Sequence, residues 1–489
     1  MTRSRLGQPD LELRDLTCDS RQAGPERGFF ALRGARHDGH EFVGDAVRAG
    51  APAVFVTDPE AFARLEEAPA PPGGTFLVSG GREALADLSA ELYGHPSREL
   101  RLLGVTGTNG KTTVTHLAAQ LLRAMGTPCG IAGTLGMTLD DHPAELGLTT
   151  PEAPDIQRFL SRCREGGIGA VAMEASSIGI AMARTRGLSF RAAAFTNLTQ
   201  DHLDYHGTME RYRDAKFDLF LRHEVARAVV NLDDPTGREL AARLKSSGAP
   251  PALGFAAEGV AGGGAELRME GASWDTAGMR GELCLGERRA PFASPLLGRF
   301  NLSNLLAAVG LLTATGAEFE AVAAVAAAGV GAPGRFERIP VPHGFTVVVD
   351  YAHTPDALVN ALETAREIAA GALWVVFGCG GERDAAKRPR MGAIAERLAE
   401  RTILTSDNPR GEPPGAILDQ IARGLRDPGA AVRIEAREEA IRWTLGRARE
   451  GDLVLIAGKG HETYQEIEGR RLPFSDREVV QAWAGETGN

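Results

Sequence analysis

The chain has 489 residues, 43% of them hydrophobic and 24% charged, and a formal net charge of −10. That length suggests about two to four domains, and the composition is that of a folded globular chain. The acidic balance disfavours a nucleic-acid partner. The opening residues MTRSRLGQPD contain no apolar stretch, so a secretory signal is not expected. No run of about 18 apolar residues occurs, so no membrane association is expected either. The cysteines Cys18, Cys129, Cys163, Cys284 and Cys379 are scattered, with no CxxC pair. This argues against a zinc site or a disulfide framework and fits a cytoplasmic location.

Of the 54 basic residues only Lys111, Lys216, Lys245, Lys387 and Lys459 are lysine; the rest are arginine. Arginine serves wherever a generic positive charge suffices. Lysine therefore marks places that need an ammonium or a free amine.

In chain order, the first region offers short strands at 53–57 and 76–79, separated by the Pro/Gly-rich stretch 68–74. At Leu100 a new pattern starts: an apolar strand, a glycine-rich turn, then a helix. Val114, Leu117, Ala118, Leu121 and Leu122 fall on one face of that helix. Buried-type strands follow at 168–175, 191–196 and 226–231, with helices between them and a mostly parallel sheet. The segment 254–289 is Gly-rich with alternating polarity and is expected to be a β-hairpin excursion. An Ala-rich helix ends in the breaker Ala332-Pro333-Gly334. Strands at 345–349, 373–377, 401–405 and 453–457 then form a second doubly wound α/β domain. The expected fold class is α/β with three domains: 1–97, 98–333 and 334–489.

Gly107, Thr108, Asn109, Gly110, Lys111, Thr112 and Thr113 read GTNGKTT between a strand and a helix. Backbone N–H groups there can approach phosphate oxygens, and the helix N-terminus adds partial positive charge. Lys111 would neutralise β- and γ-phosphates, and Thr112 would hold Mg²⁺. Val105 takes the first glycine position of the strict pattern, and the bland reading is a Gly turn capped by Thr. Glu174 ends the next predicted strand and offers an acid for the metal; a solvated strand-end acid is its alternative. Residues 197–216, NLTQDHLDYHGTMERYRDAK, cluster Asp201, His202, Asp204 and His206 before Lys216. That density suggests metal or phosphate chemistry, or else a polar loop capping a helix at Thr208.

Four motifs each follow a strand of the last region: DYAHTP from Asp350, GCGGERD from Gly378, DNPR from Asp407 and GKGHE from Gly458. In an open parallel sheet the strand C-termini share one edge, where ligands bind. Arg383 and Arg410 suit carboxylates and Glu462 suits an ammonium, so a zwitterionic amino acid is complementary.

Together these motifs resemble the Mur ligase family, ATP-dependent amide-forming enzymes of peptidoglycan synthesis, over essentially the whole chain. The resemblance implies a UDP-binding N-terminal domain, a central P-loop-type ATPase domain and a C-terminal Rossmann-like domain for an amino acid. Asp19-Ser20-Arg21 and Gly34 with Asp38-Gly39-His40 resemble the UDP segment, and Ser20 is the implied direct contact. Thr149, Thr150, Ser176 and Arg184 resemble the muramoyl-peptide site. Glu174 and His202 match magnesium ligands, and Lys216 matches a lysine carbamylated by CO₂ to N6-carboxylysine, which supports a second Mg²⁺. Asn301, Asn304 and Arg335 resemble nucleotide-site residues, and Asp350 a ribose contact. Asp407, Asn408, Pro409 and Arg410 resemble the specificity motif of members that add meso-2,6-diaminopimelate, with Arg383, Gly458 and Glu462 as further contacts.

The implied reaction adds meso-diaminopimelate to the D-Glu γ-carboxylate of UDP-N-acetylmuramoyl-L-Ala-D-Glu, using ATP, and a monomer is expected. Two positions depart from the pattern: Ile178 replaces the usual His, and Met182 replaces a substrate-binding Gln of some members. Addition of L-lysine, a folylpolyglutamate-synthase-like activity, a P-loop nucleotide switch and a non-catalytic paralogue are the rival readings.

Overall fold

Short runs of branched and small apolar residues form the strands. Leu102, Leu103 and Val105 are buried on one of them, and every residue of Ala170–Glu174 is buried on its neighbour. Such continuous burial is typical of a parallel sheet covered on both faces. The computed structural model describes residues 3–6, 13–34, 37–65, 71–139, 143–144, 148–248, 250–257, 264–327 and 331–487. Two compact units emerge: Met1–Leu267 with Leu306–Val322, and Arg268–Leu305 with Ala323–Asn489. Part of the Pro/Gly-rich stretch 68–74 lies outside the described residues.

The first unit holds two main sheets and a two-stranded parallel pair, Ser189–Phe190 with Glu224–Val225. The smaller main sheet runs in the order Arg3–Leu6, Gly74–Leu77, Val54–Val56, Arg27–Phe30, Asp15–Thr17, parallel except at the Arg3–Leu6 edge. In the larger, Ala252–Ala256, Ala228–Asn231, Ala192–Phe195, Arg101–Thr106, Ala170–Glu174 and Cys129–Gly133 are successive parallel neighbours. The predicted helix forms over Lys111–Ala124 and buries the five apolar residues of its expected face. Asp15 ties the two sheets together, because its carboxylate accepts from Arg27 of the small sheet and from Arg158 of the helix Ala153–Glu165.

The second unit is built on a six-stranded sheet. Its order is Glu337–Ile339, Thr346–Asp350, Leu453–Ala457, Leu373–Phe377, Arg401–Leu404, Val432–Arg433, parallel after the first strand. Asp350 pairs with Ala457 and Phe377 with Leu404, so all four polar motifs leave the sheet along one edge. The excursion at 254–289 includes the strand Leu267–Asp275 and most of an antiparallel hairpin, Gly278–Leu285 with Arg288–Ser294. No helix among the described residues is long and apolar enough to cross a membrane.

Beneath that edge, Arg437 and Asp476 form a fully buried bidentate ion pair at 2.7 Å. Arg437 also donates to the carbonyls of Ser406 (3.3 Å) and Ala457 (3.0 Å), the residues just before DNPR and GKGHE. Removing one partner would leave an uncompensated buried charge. Asp476→Ala should therefore cost about 3–5 kcal/mol of unfolding free energy. Urea denaturation measures this, and a loss near zero would mean that water reaches Arg437.

Candidate active site

The phosphate loop is held from behind by residues 196–199. Thr108 N–H donates to the Asn197 carbonyl (2.9 Å), and Asn109 N–H to Asn197 Oδ1 (2.9 Å). Thr196 Oγ1 donates to the Asn109 carbonyl at 2.6 Å. A side chain at Gly107 would collide with this prop, since its Cβ would lie 1.9 Å from Thr196 Oγ1, at a φ of +153°. Only glycine fits there.

Glu174 lies beside the loop because strand register pairs it with Val105. It is 1% exposed. Its Oε1 accepts from Thr112 Oγ1 (3.0 Å) and Thr134 N–H (2.8 Å), and its Oε2 from Thr134 Oγ1 (3.1 Å). Room for the carboxylate comes from Gly133, whose added Cβ would meet Glu174 Oε1 at 2.3 Å. One buried carboxylate flanked by hydroxyls is a hard oxygen donor set of the kind that suits Mg²⁺ beside substrate phosphates.

Lys111 and Lys216 converge on one acceptor. Lys111 Nζ donates to the carbonyls of Gly107 (3.0 Å) and Thr108 (2.8 Å), and Lys216 Nζ to that of Gly107 (2.7 Å). Lys216 belongs to the helix Met209–Leu221, capped by Thr208 as expected, and is buried above the Tyr212 ring. Burial pushes its pKa well below the usual lysine value, and the Lys111 ammonium pushes it lower still. Both effects disfavour the protonated form at this position.

His202 packs edge-on against the Tyr212 ring that lies under Lys216, with ring centroids 6.1 Å apart. Its side chain is 43% exposed, its φ is +50°, and its nearest carboxylate is Asp201 at 3.6 Å rather than Glu174. The buried histidine is His206, whose Nε2 lies 3.0 Å from Ser177 Oγ. Tyr212 was not singled out by the sequence reading, yet its hydroxyl lies 3.0 Å from Thr108 Oγ1. Thr134 and Asn197 were likewise missed, because hydroxyls and amides carry no spacing signal.

The segment 149–150 joins the same edge. Thr150 Oγ1 donates to the Glu174 carbonyl (3.0 Å) and lies 2.9 Å from Ser176 Oγ, and Thr149 Oγ1 lies 3.2 Å from Thr134 Oγ1. Arg184 donates to the Thr150 carbonyl (2.9 Å) and pairs with Glu152 (2.8 Å). Met182 does not leave a gap where a Gln was expected: its sulfur lies 3.4 Å from Arg184 Nη2. Ile178 is half-buried on the short helix Ser177–Ala181. Ser20 opens the turn Ser20–Gln22 capped by Asp19, and among the described residues no contact joins it to Thr150 or Ser176.

In the second unit the DNPR segment is laid against a hairpin, Tyr464–Ile467 with Arg470–Pro473, which the sequence reading did not anticipate. Arg410 N–H donates to the Glu466 carbonyl (3.0 Å), and Glu468 N–H to the Arg410 carbonyl (2.7 Å). Gln465 Nε2 donates to the Asp407 carbonyl (2.7 Å), and Glu466 N–H to Asn408 Oδ1 (2.9 Å). Arg410 Nη1 donates to the Gly381 carbonyl (2.7 Å) and its Nε faces Glu466 (3.4 Å). Nη2 has no hydrogen bond to any described residue. Asn408 Nδ2 and Lys459 Nζ both donate to Glu462 Oε2, each at 2.7 Å. Gly458 takes φ +112° and packs on the buried Asp407, while the Pro409 carbonyl abuts Gly381. Arg383 is exposed. Its loop is braced by the buried Arg388, which pairs with Glu412 (2.8 Å) and donates to the Gly380 carbonyl (2.9 Å).

Asn301, Asn304, Arg335 and Asp350 also belong to the second unit. Asn301 Nδ2 donates to the Leu297 carbonyl (2.9 Å) and its Oδ1 accepts from Asn304 (3.2 Å). Arg335 lies 4.6 Å over the Tyr351 ring. Asp350 spends one oxygen on Phe336 N–H (2.7 Å) and the other on Ala352 N–H (2.8 Å). Burial raises its pKa, against the lowering pull of Arg335.

A phosphate loop with a buried metal-type carboxylate, and a second unit lined with amino-acid-complementary groups, define an ATP-using ligase class. The comparisons agree. Three family models match in succession: "Mur ligase family, catalytic domain" over 12–93, "Mur ligase middle domain" over 105–312, and "Mur ligase, glutamate ligase domain" over 334–460. A relative from Geobacillus kaustophilus, a UDP-N-acetylmuramoyl-L-alanyl-D-glutamate–2,6-diaminopimelate ligase, is 42% identical over 99% of this chain and 96% of its own. A like-named ligase from Pseudomonas aeruginosa is 44% identical over 96% and 95%. A solved structure of a ligase of that name matches with TM-score 0.71 and 33% identity, covering 98% of this chain and 96% of its own. The chain belongs to the Mur ligase family, whose members are ATP-dependent amide-forming ligases.

The buried Lys216 makes stability depend on pH. The unfolded chain binds a proton that the folded site excludes, so stability rises with pH from the depressed folded pKa up to 10.5. Lys216→Met should be the more stable protein at about pH 7 in CO₂-free buffer, with the gap to wild type closing toward about pH 10. Urea titrations across that range test it, and a pH-independent gap would contradict the lowered pKa.

Proposed function

We propose that the protein joins meso-2,6-diaminopimelate to the D-Glu γ-carboxylate of UDP-N-acetylmuramoyl-L-Ala-D-Glu with hydrolysis of ATP to ADP and phosphate. The observation that carries this reading is the DNPR segment. The backbone of Arg410 is clamped by the hairpin, and its guanidinium is oriented by Gly381 and Glu466 with Nη2 left over. A fixed guanidinium suits the distal carboxylate that L-lysine lacks.

The carboxylate of the dipeptide attacks the γ-phosphorus of ATP, ADP leaves, and an acyl phosphate forms. The amine then attacks the acyl carbon, loses a proton, and phosphate leaves as the amide forms. The loop N–H groups and Lys111 bind the phosphates. Thr112 and Glu174 would hold a Mg²⁺ ion, which when bound neutralises charge on the phosphate oxygens. Thr149, Thr150, Ser176 and Arg184 present the muramoyl peptide, and Ser20 contacts its UDP end. Asn301, Arg335 and Asp350 serve the nucleoside. Asp407, Asn408, Gly458, Glu462, Arg383 and Arg410 hold the amino acid. The three-part division 1–97, 98–333 and 334–489 gives the UDP end, the ATP phosphates and the incoming amino acid to successive parts of a monomeric chain.

Lys216 is the proposed carbamylation site. Its neutral amine adds CO₂ and releases a proton. The resulting anion, with His202, would support a second Mg²⁺ and attract the Lys111 ammonium. A ¹³C-bicarbonate-labelled sample should show a carbamate resonance that is absent from Lys216→Ala; identical spectra would exclude the modification.

The reaction is tested with ATP, Mg²⁺ and the UDP-dipeptide, with diaminopimelate, L-lysine or no amine, reading products by mass. A tripeptide is expected with diaminopimelate alone. Product with lysine instead would overturn the specificity. Arg410→Ala should weaken diaminopimelate use by roughly 1.5–3 kcal/mol, the value of a lost charged hydrogen bond. Unchanged kcat/KM for diaminopimelate would remove Arg410 from the site.

A further inference from the structure

Lys459 is the lysine of the GKGHE motif that the ligation chemistry does not use. Its side chain is wholly buried. Nζ donates to Glu462 Oε2 at 2.7 Å and to Asn408 Oδ1 at 3.0 Å. Asn408 closes the triangle by donating Nδ2 to the same Glu462 oxygen at 2.7 Å. Asn408 Oδ1 accepts a second hydrogen bond, from Glu466 N–H at 2.9 Å.

Two consequences follow from donor and acceptor inventory. Lys459 has donors only, so the atom of Asn408 that faces it must be the oxygen. That fixes which end of the amide points to Glu462. Glu462 Oε2 is then saturated by an ammonium and an amide, and Oε1 is the oxygen left for a further donor. A carboxylate pinned through one oxygen presents the other in a single direction. Without Lys459 the carboxylate could rotate, and the Asn408 amide could flip.

We infer that Lys459 is a positioning residue for the incoming amino acid, acting through Glu462 and Asn408 to aim one carboxylate oxygen at a substrate ammonium. This deepens the proposed function and rests on it. An arginine would not serve equally here. Its planar fork is larger and cannot place one compact charge against both partners inside a closed pocket, which accords with a lysine in a chain that otherwise uses arginine.

The test is a double-mutant cycle of K459M and E462Q on the full-length protein, with diaminopimelate as the varied substrate. K459M should raise KM for diaminopimelate by at least about tenfold, as for a lost charge-assisted contact. KM for ATP should stay within about twofold, because ATP binding does not pass through Glu462. The double variant should be no worse than E462Q alone, since the two changes remove one shared interaction. Multiplicative losses, or equal rises in both KM values, would reduce Lys459 to a structural role and overturn the inference. If K459M does not fold, K459Q takes its place in the cycle with the same expectations. Wild type run in parallel separates the failures: no ligation of diaminopimelate by wild type sinks the proposed reaction, whereas ligation with an additive cycle sinks only the role of Lys459.

Discussion

Glu174 and Thr112 meet because two parallel strands are paired in one register. Val105 lies opposite Glu174, and the chain turns into the phosphate loop two residues later. A slip of one residue would send the carboxylate to the other face of the sheet. That register is protected by burial on both faces, since Leu102, Leu103, Val171, Ala172 and Met173 are all inaccessible to water. On the other flank Phe195 pairs with Thr106, which delivers Thr196 and Asn197 to the back of the loop. The hydrophobic pattern of three strands therefore positions Glu174, the loop, and the Thr196–Asn197 prop behind it.

Three of the deeply buried basic side chains are handled differently. Arg437 has a carboxylate and two carbonyls, and Lys459 has a carboxylate and an amide oxygen. Lys216 has only a carbonyl and an aromatic ring, with a second ammonium bonded to the same carbonyl. A paired buried charge is tolerated, whereas an unpaired one shifts toward its neutral form. The environment thus separates a lysine paired with a carboxylate from a lysine whose protonated form is disfavoured. Arginine could fill neither place, because it does not deprotonate and does not shrink to a point charge.

Much of this was legible in the sequence. The apolar strands, the helix behind GTNGKTT and the shared edge of four motifs all follow from periodicity and from the geometry of parallel sheets. Scarcity of lysine marks Lys111, Lys216 and Lys459, but it marks Lys245, which is exposed, and Lys387, which donates to the His353 carbonyl, just as strongly. The supporting residues were not legible. Thr134, Thr196, Asn197 and Tyr212 act through hydrogen bonds between segments far apart in the chain, and no local pattern marks such residues. The hairpin under DNPR was missed because Tyr464–Ile467 is only half-buried and lacks a strong apolar alternation. The cluster at 201–206 was read as a unit, yet burial divides it: His206 is inside and His202 outside.

The two halves of the chemistry are built from different materials. The phosphate site relies on backbone amides, glycine clearances and one carboxylate, all set by strand register. Such a site recognises a group common to every nucleotide triphosphate, and few substitutions could retune it without disturbing the sheet. The proposed amino-acid site is built from side chains of the DNPR and GKGHE segments against a short hairpin, where Arg410, Asn408, Glu462, Glu466 and Lys459 hold one another in place. Its geometry can change without altering the sheet beneath, because the hairpin strands pair with each other and with the DNPR segment. On the proposed function, selectivity for the amine would rest on this small polar network, whose members are distinct from those around the phosphate loop. That separation is what allows one α/β framework to keep a constant activation step while the group it accepts is decided by a handful of residues at one sheet edge.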